Sequence, residues 1–338
     1  MKQATRQEGS APYFEDLEVG QVERGAPALT LTAGHAALHQ AILGDRLRLA
    51  LDAELSTEVL GAPELLAHPG LVCDVAIGQS TSLTRRVIGN LFYRGLVLHR
   101  GPRIGDTLRT ETEVVALRQN RAREGRAATG MAVLRIRTSD QEGRPVLDFL
   151  RCAMLPLRDP QGETGRADDL DLVGAEVAPD ALAASVAGWD FAAYRERVPG
   201  PHFGELEAGQ VLAVEGGDVV SGAPELARLT LNVAFAHHDA GASGRGRRLV
   251  YGGHTIGIAA AQLNRAIPSL VTIVGWRSCD HLAPVFEGDT LRGEVEVEGA
   301  EEGLAGQGGI VSLRSRVRAE RDGEEADVLD WRLWAVLA

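Results

Sequence analysis

Asn232, His237 and Asp239 stand together in the run NVAFAHHDA, Asn232 to Ala240, and a second run, GRRLVYGGH, follows from Gly246 to His254. Histidine titrates near neutrality, so a positioned imidazole at His237 can take up a proton and hand it on. Asparagine exchanges no proton, but the Asn232 amide offers both a donor and an acceptor and can hold a water molecule. Asp239 is a supporting carboxylate beside it. In the second run, Gly252 and Gly253 lead into a stretch of small apolar residues. At the start of a helix the unpaired backbone N–H groups and the helix dipole favour developing negative charge, and glycine leaves the backbone open to close approach. The Gly252 N–H is the expected oxyanion donor, with Tyr251, Gly253 and His254 shaping or polarising the pocket. Arg245, Arg247 and Arg248 form a basic stretch able to meet phosphates or a carboxylate of a ligand. Each feature also has a bland reading: such a histidine often belongs to a surface turn or helix cap, and an arginine run is commonly solvated.

The elements that must position these residues come in two copies. GDTLR occurs at Gly105 to Arg109 and again at Gly288 to Arg292; YFEDLEVGQV from Tyr13 answers HFGELEAGQV from His202, and VLDFLRCAML from Val146 answers VLDWRLWAVL from Val328. A repeat this long is a duplicated domain rather than a solenoid. Each copy ends in alternating strands joined by turns, QEGR in the first and DGEE in the second, which predicts antiparallel hairpins. Upstream, the residues from His254 onward are small and apolar around most of a helical circumference, the pattern of a helix swallowed by a surrounding sheet. The expected architecture is α+β: a tandem, or double, hot dog, each copy a central helix wrapped by an antiparallel sheet. The expected domains are 1–158, which lacks the histidine motif, and 201–338, which carries the site, with an acidic, Gly- and Pro-rich linker over 159–200 and a short helix around Ala181 to Arg197.

Composition limits the functions open to this chain. With 338 residues there is room for two cores. No run is apolar enough for a membrane span, and the start, MKQATRQEGS, lacks the apolar segment of a secretory signal, so the expected location is the cytoplasm. Cys73, Cys152 and Cys279 are scattered without zinc-ligand spacing, so no metal is expected. A net charge of −12 opposes nucleic-acid binding. A small or thioester-borne ligand fits better, and a homo-oligomer is possible.

The two runs in the second copy resemble the MaoC, or hydratase-2, family of hot dog enzymes. That family marks its site with G-D-x-N-P-x-H-x-D; here His237 takes the histidine place, Asp239 follows at the H-x-D spacing, and Asn232 takes the place of the earlier aspartate. The opening FEDL, the stretch RRLVYGGH and the turn PVFEGDT are similar to the two-domain mesaconyl-CoA hydratases, also called β-methylmalyl-CoA dehydratases. The resemblance implies a hydro-lyase that reversibly hydrates an enoyl-CoA thioester such as mesaconyl-CoA or a similar branched dicarboxylic acyl-CoA, with no cofactor beyond the coenzyme A of its substrate. It further implies that Arg245, Arg247 and Arg248 meet coenzyme A or a substrate carboxylate. Hydration requires a base for the water proton, an acid for the α-carbon and donors for the enolate oxygen; His237 is the expected proton shuttle, Asn232 positions the water and the Gly252 N–H is the oxyanion donor. The rival readings are a hot dog acyl-CoA thioesterase and a non-catalytic acyl-binding protein. In the first copy, Asn232 falls on Asp45, Asp239 on Asp52 and His237 on Ala50, while the glycine pair becomes Pro69-Gly70. That copy is therefore expected to wall the acyl pocket, with Asp45 lacking a histidine and with His68 and His99 structural.

Overall fold

In a computed structural model of the protein the described residues are 10–121, 125–170, 174, 177–304 and 308–338, with 301–303 described for their backbone only. Residues 1–9, read above for a secretory signal, and 171–173 and 175–176 of the expected linker lie outside them. The first copy runs through β1 (Val22–Glu23), β2 (Leu29–Thr30), α1 (Ala33–Leu43), α2 (Ala53–Leu60), α3 (Pro69–Gln79), β3 (Gly89–Leu98), β4 (Thr107–Gln119), β5 (Thr129–Ser139) and β6 (Pro145–Pro156). Two short helices follow, α4 (Pro179–Ala184) and α5 (Phe191–Arg197). The second copy comprises β7 (Val211–Ala213), β8 (Asp218–Val219), α6 (Ala223–Leu229), α7 (Gly252–Ala266), β9 (Thr272–His281), β10 (Thr290–Leu304), β11 (Gly308–Arg321) and β12 (Glu324–Leu337).

The hairpins form where the turn residues call for them. Between β11 and β12, Asp322 and Gly323 have φ of 54° and 83°; this pair of left-handed residues makes the tight turn whose twist suits a two-residue hairpin. Along β6 the inward parity is Phe149, Arg151, Ala153, Leu155, all buried. Strand alternation thus assigns these residues to the core, including one arginine.

All the strands belong to one sheet, in the order β1-β4-β5-β6-β3-β9-β12-β11-β10-β7, with β2 on β4 and β8 on β10. The two copies join where β3 meets β9 antiparallel, from Phe92 opposite Asp280 to Val97 opposite Gly275. Gly275 is required at this seam: a Cβ there would stand 2.6 Å from the Leu96 carbonyl oxygen. The joint covers two strand edges that would otherwise present unpaired backbone.

Inside the curved sheet lie α3 and α7. In α3 every residue from Leu71 to Gln79 is buried, and each of Leu71, Val72, Val75 and Ile77 contributes roughly 1.5–3 kcal/mol by leaving water. Along α7 the run from Gly253 to Asn264 is buried. Two central helices within one antiparallel sheet constitute a double hot dog fold. The segment between the copies is more structured than a linker: Leu182, Val186, Phe191, Tyr194 and Val198 close a satellite core with Leu49, Leu55, Val59 and Val271, and the Tyr194 hydroxyl donates to the Leu270 carbonyl at 2.9 Å. The helix expected around Ala181 to Arg197 is divided in two, because α4 and α5 flank a turn at Gly188, whose φ is 82°.

Candidate active site

The run NVAFAHHDA is an irregular loop after α6. Leu231 adopts a left-handed backbone, φ 59°, unusual for a branched side chain, and the chain turns sharply into Asn232. The Asn232 N–H donates to the Ala227 carbonyl at 2.8 Å, while its side-chain Oδ1 accepts from the Ala234 N–H at 3.0 Å. His238 braces the same residue by donating through Nε2 to the Asn232 carbonyl at 2.7 Å. The first copy fixes the far side of the loop: the Val233 N–H donates to Thr81 Oγ1 at 3.0 Å and the Phe235 N–H to the Arg85 carbonyl at 2.8 Å. At Gly78 of α3 a side chain would collide with the Thr230 carbonyl. The helix of one copy is thus bare where the loop of the other crosses it.

Among the described residues the His237 imidazole makes one hydrogen bond, from Nδ1 to the Leu249 carbonyl at 2.8 Å. A carbonyl only accepts, so Nδ1 carries the proton and Nε2 is left as the basic nitrogen. Burial lowers its pKa from 6.5 to about 4, against the opposing pull of the Leu249 carbonyl. The imidazole is therefore neutral across the physiological range. Its ring leans on that of Tyr251, 5.7 Å between centroids.

These groups line a cavity of about 180 Å3 between the copies. The second copy supplies Asn232, His237, Arg245, Tyr251, Gly252 and His281; the first supplies Ile77, Thr81, Tyr93 and Arg151. Gly252 is the first residue of α7, a position whose N–H has no partner within a helix. Its lack of a side chain admits His281: a Cβ would sit 2.7 Å from His281 Nε2. Burial likewise lowers His281 to about 4. Tyr251 caps α7 and donates its hydroxyl to the Asp74 carbonyl at 3.0 Å; burial pushes its pKa well above the ordinary range, so it stays a donor.

Not all the residues expected at the site meet there. Asp239 is exposed and accepts from the Gly241 N–H at 2.8 Å, capping its own turn away from the cavity. Gly253 faces the Asp74 carboxylate across the α3–α7 contact. His254 is fully buried, neither ring nitrogen has a hydrogen-bond partner, and burial lowers it to about 4; it packs as a neutral ring outside the cavity. Arg248 pairs with Glu287 at 2.5 Å, and Arg247 donates to the Glu287 carbonyl while lying over the Phe286 ring. Of the arginine run, Arg245 alone lines the cavity.

The first copy departs from its sequence reading. His68 Nε2 stands 3.0 Å from Asp45 Oδ1, so this carboxylate does have a histidine. It comes from the cap of α3, the place that Tyr251 fills on α7. Motif register sets Asp45 on Asn232 and Ala50 on His237, and so overlooks the histidine at the cap. Burial opposes the Asp45 charge, but His68 and the Leu47 N–H outweigh it and hold its pKa below the ordinary value. Asn264 of α7 donates to both its oxygens at 3.2 Å. A second buried pair, His39 and Asp74 at 3.3 Å, lies alongside. Pro69 at the first position of α3 has no N–H to offer where Gly252 has one. His99 is exposed. Among the described residues no group of three or more His, Cys, Asp or Glu is placed to hold a metal ion, and no helix is long and apolar enough to cross a membrane.

Arg151, Tyr93, Thr81 and His281 were not singled out from the sequence. Arg151 did leave a signal: it is a charged residue at the inward parity of an apolar strand, and the duplicated segment has Leu333 in its place.

Fold and cavity define a double hot dog protein with its site between unequal copies. No protein-family model matches the chain. It is 29% identical to the mesaconyl-CoA hydratase of Cereibacter sphaeroides, over 93% of this chain and 90% of that one. It is also 29% identical to the beta-methylmalyl-CoA dehydratase of Chloroflexus aurantiacus, over 92% and 88%. Among solved structures, a conserved hypothetical protein of Mycobacterium tuberculosis with a double hotdog fold is 54% identical, with 98% of this chain and 100% of that one covered at a TM-score of 0.90. A putative MaoC domain protein dehydratase from Chloroflexus aurantiacus shares the fold at a TM-score of 0.84 and 23% identity, covering 99% of each chain. The chain is a double hot dog protein, similar over nearly its whole length to proteins named as a hydratase and a dehydratase.

Proposed function

We propose that the protein is a hydro-lyase that reversibly adds water to an enoyl-CoA thioester, with mesaconyl-CoA as the first substrate to test. The observation that carries this reading is the tautomer of His237: with Nδ1–H fixed on the Leu249 carbonyl at 2.8 Å, a neutral Nε2 is left at the cavity beside Asn232 and the start of α7. His237 Nε2 takes a proton from water as its hydroxyl adds to the β-carbon, and returns that proton to the α-carbon as the enolate collapses. Atoms balance and no oxidation state changes overall, so the reaction calls for no redox cofactor. The Asn232 oxygen is engaged with Ala234, so its NH2 group is the part that holds the water. The Gly252 N–H, at the positive end of α7, receives the thioester oxygen as it gains charge. Arg245 at the cavity is the cation placed for coenzyme A; Arg247 and Arg248 are engaged elsewhere. The similarity to a mesaconyl-CoA hydratase and a beta-methylmalyl-CoA dehydratase supports mesaconyl-CoA as substrate, and a CoA thioester substrate fits a cytoplasmic enzyme.

Loss of the conjugated enoyl-thioester absorbance on mixing enzyme with mesaconyl-CoA, compared with crotonyl-CoA, tests the reading. Inactivity on every enoyl thioester, with free thiol released from saturated acyl-CoA instead, would replace hydration with thioester hydrolysis.

A further inference from the structure

Arg151 is 3% exposed, on the inward face of β6, and it lines the same cavity as His237 and Asn232. One end of the guanidinium is tied down: Nη2 donates to Thr84 Oγ1 at 2.7 Å and to the Ser80 carbonyl at 3.2 Å. Nε is buried without a partner, and among the described residues no hydrogen bond from Nη1 is found and no carboxylate pairs with the group. Other arginines of the sheet do have acids beside them: Arg314 has Asp330 and Arg321 has Asp289. An arginine keeps its charge when buried, and an unpaired buried charge costs several kcal/mol. The fold does not demand one here, since Leu333 takes the equivalent place in the second copy and is equally buried. A charge retained at such cost, with donors left over and a cavity in front of it, is a site for an anion.

We infer that Arg151 receives a carboxylate carried on the acyl chain of the substrate, distal to the thioester, so that the copy without the base selects dicarboxylic acyl groups. A phosphate of coenzyme A is the other anion within the chemistry, but Arg151 is almost wholly buried and shares its cavity with His237 and Asn232, where the reacting acyl group, not the nucleotide, has to lie. Arg151 is thus a specificity residue, and a planar guanidinium with free N–H groups suits a carboxylate. The inference deepens the hydratase reading and rests on it for the identity of the ligand.

The test compares mesaconyl-CoA with tiglyl-CoA, in which a methyl group replaces the distal carboxylate, by equilibrium binding and by kcat/KM. Wild type should bind mesaconyl-CoA at least about tenfold more tightly, the scale of one desolvated charge-assisted contact. Arg151→Gln should bring that ratio to near one, and Arg151→Lys should restore part of it. Ratios within one variant do not depend on its folded fraction, so a purely structural arginine would leave them unmoved. Equal binding of the two thioesters by wild type overturns the inference, as does a ratio unchanged in Arg151→Gln or an equal loss of affinity for both, which would assign the arginine to coenzyme A. Should wild type discriminate in binding yet hydrate neither, the carboxylate site stands and the hydratase reading falls.

Discussion

At the scale of single residues, the proposed chemistry turns on a histidine that is dry, neutral and held by one backbone carbonyl. Removing it as His237→Ala should lower kcat by at least about a hundredfold, the low end for a positioned acid–base group, with circular dichroism and melting temperature near wild type. Because burial puts His237 at about 4, the acid limb of kcat/KM should fall near pH 4 instead of near 6.5; a limb at 6.5 would mean that the site is wetter than its packing. Asn232→Asp checks the neighbouring role. The aspartate can still accept from the Ala234 N–H, so the loop should survive, and a carboxylate near His237 favours the imidazolium. Hydration should persist with its acid limb moved to higher pH, and an unmoved limb would show that the two side chains do not sense each other.

At the scale of elements, the loop that bears His237 is positioned by the helix of the other copy. Gly78 on α3 faces the Thr230 carbonyl with no room for a methyl group, and three residues further on Thr81 accepts from Val233. Gly78→Ala lies outside the cavity, yet it should push α3 and the loop apart. Overpacking of this kind costs about 1–3 kcal/mol, and kcat should drop together with the melting temperature. Stability lost without any change in kcat would mean that the loop holds its shape independently of α3. The short segment between the copies acts similarly through α4 and α5, whose apolar residues close a second core.

At the scale of the whole molecule, duplication has left one copy with the cavity base and the other with buried histidine–carboxylate pairs. Asp45→Asn removes the partner of His68, and breaking a buried pair costs on the order of 3 kcal/mol. Denaturant midpoints should fall accordingly, while kcat of the folded variant stays within a fewfold of wild type because the pair lies outside the cavity. Acid should destabilise the whole protein for a related reason. His237, His254 and His281 are held at about 4 against an ordinary 6.5, chiefly by burial, and His39 is lowered as well. Between those values the unfolded chain binds protons that the native one excludes, so stability is full above about pH 6.5 and declines as pH falls toward 4. Proton uptake on unfolding, from the pH dependence of the midpoints, should approach three in that window, and a flat profile would contradict the burial of these rings.

Much of this architecture was legible in the chain because its causes are local. Alternation places Phe149 and Leu155 inward, the Asp322-Gly323 pair turns a hairpin, and small apolar residues after Gly253 build a helix able to sit inside a sheet. GDTLR and its flanking repeats announced the second copy, and the spacing of Asn232, His237 and Gly252 marked the loop and helix start that meet at the cavity. What only the tertiary structure decided depends on which distant segments become neighbours. Nothing in NVAFAHHDA says that Asp239 turns outward while His237 turns in; that follows from the anchoring of the loop on Thr81 and Arg85. Nor does the motif register disclose that His68 reaches Asp45, that Glu287 engages Arg247 and Arg248, or that Arg151 of one copy faces the cavity base of the other. Burial and charge pairing are long-range properties of packing, and a linear pattern carries them only as faint anomalies, such as an arginine among the inward residues of an apolar strand.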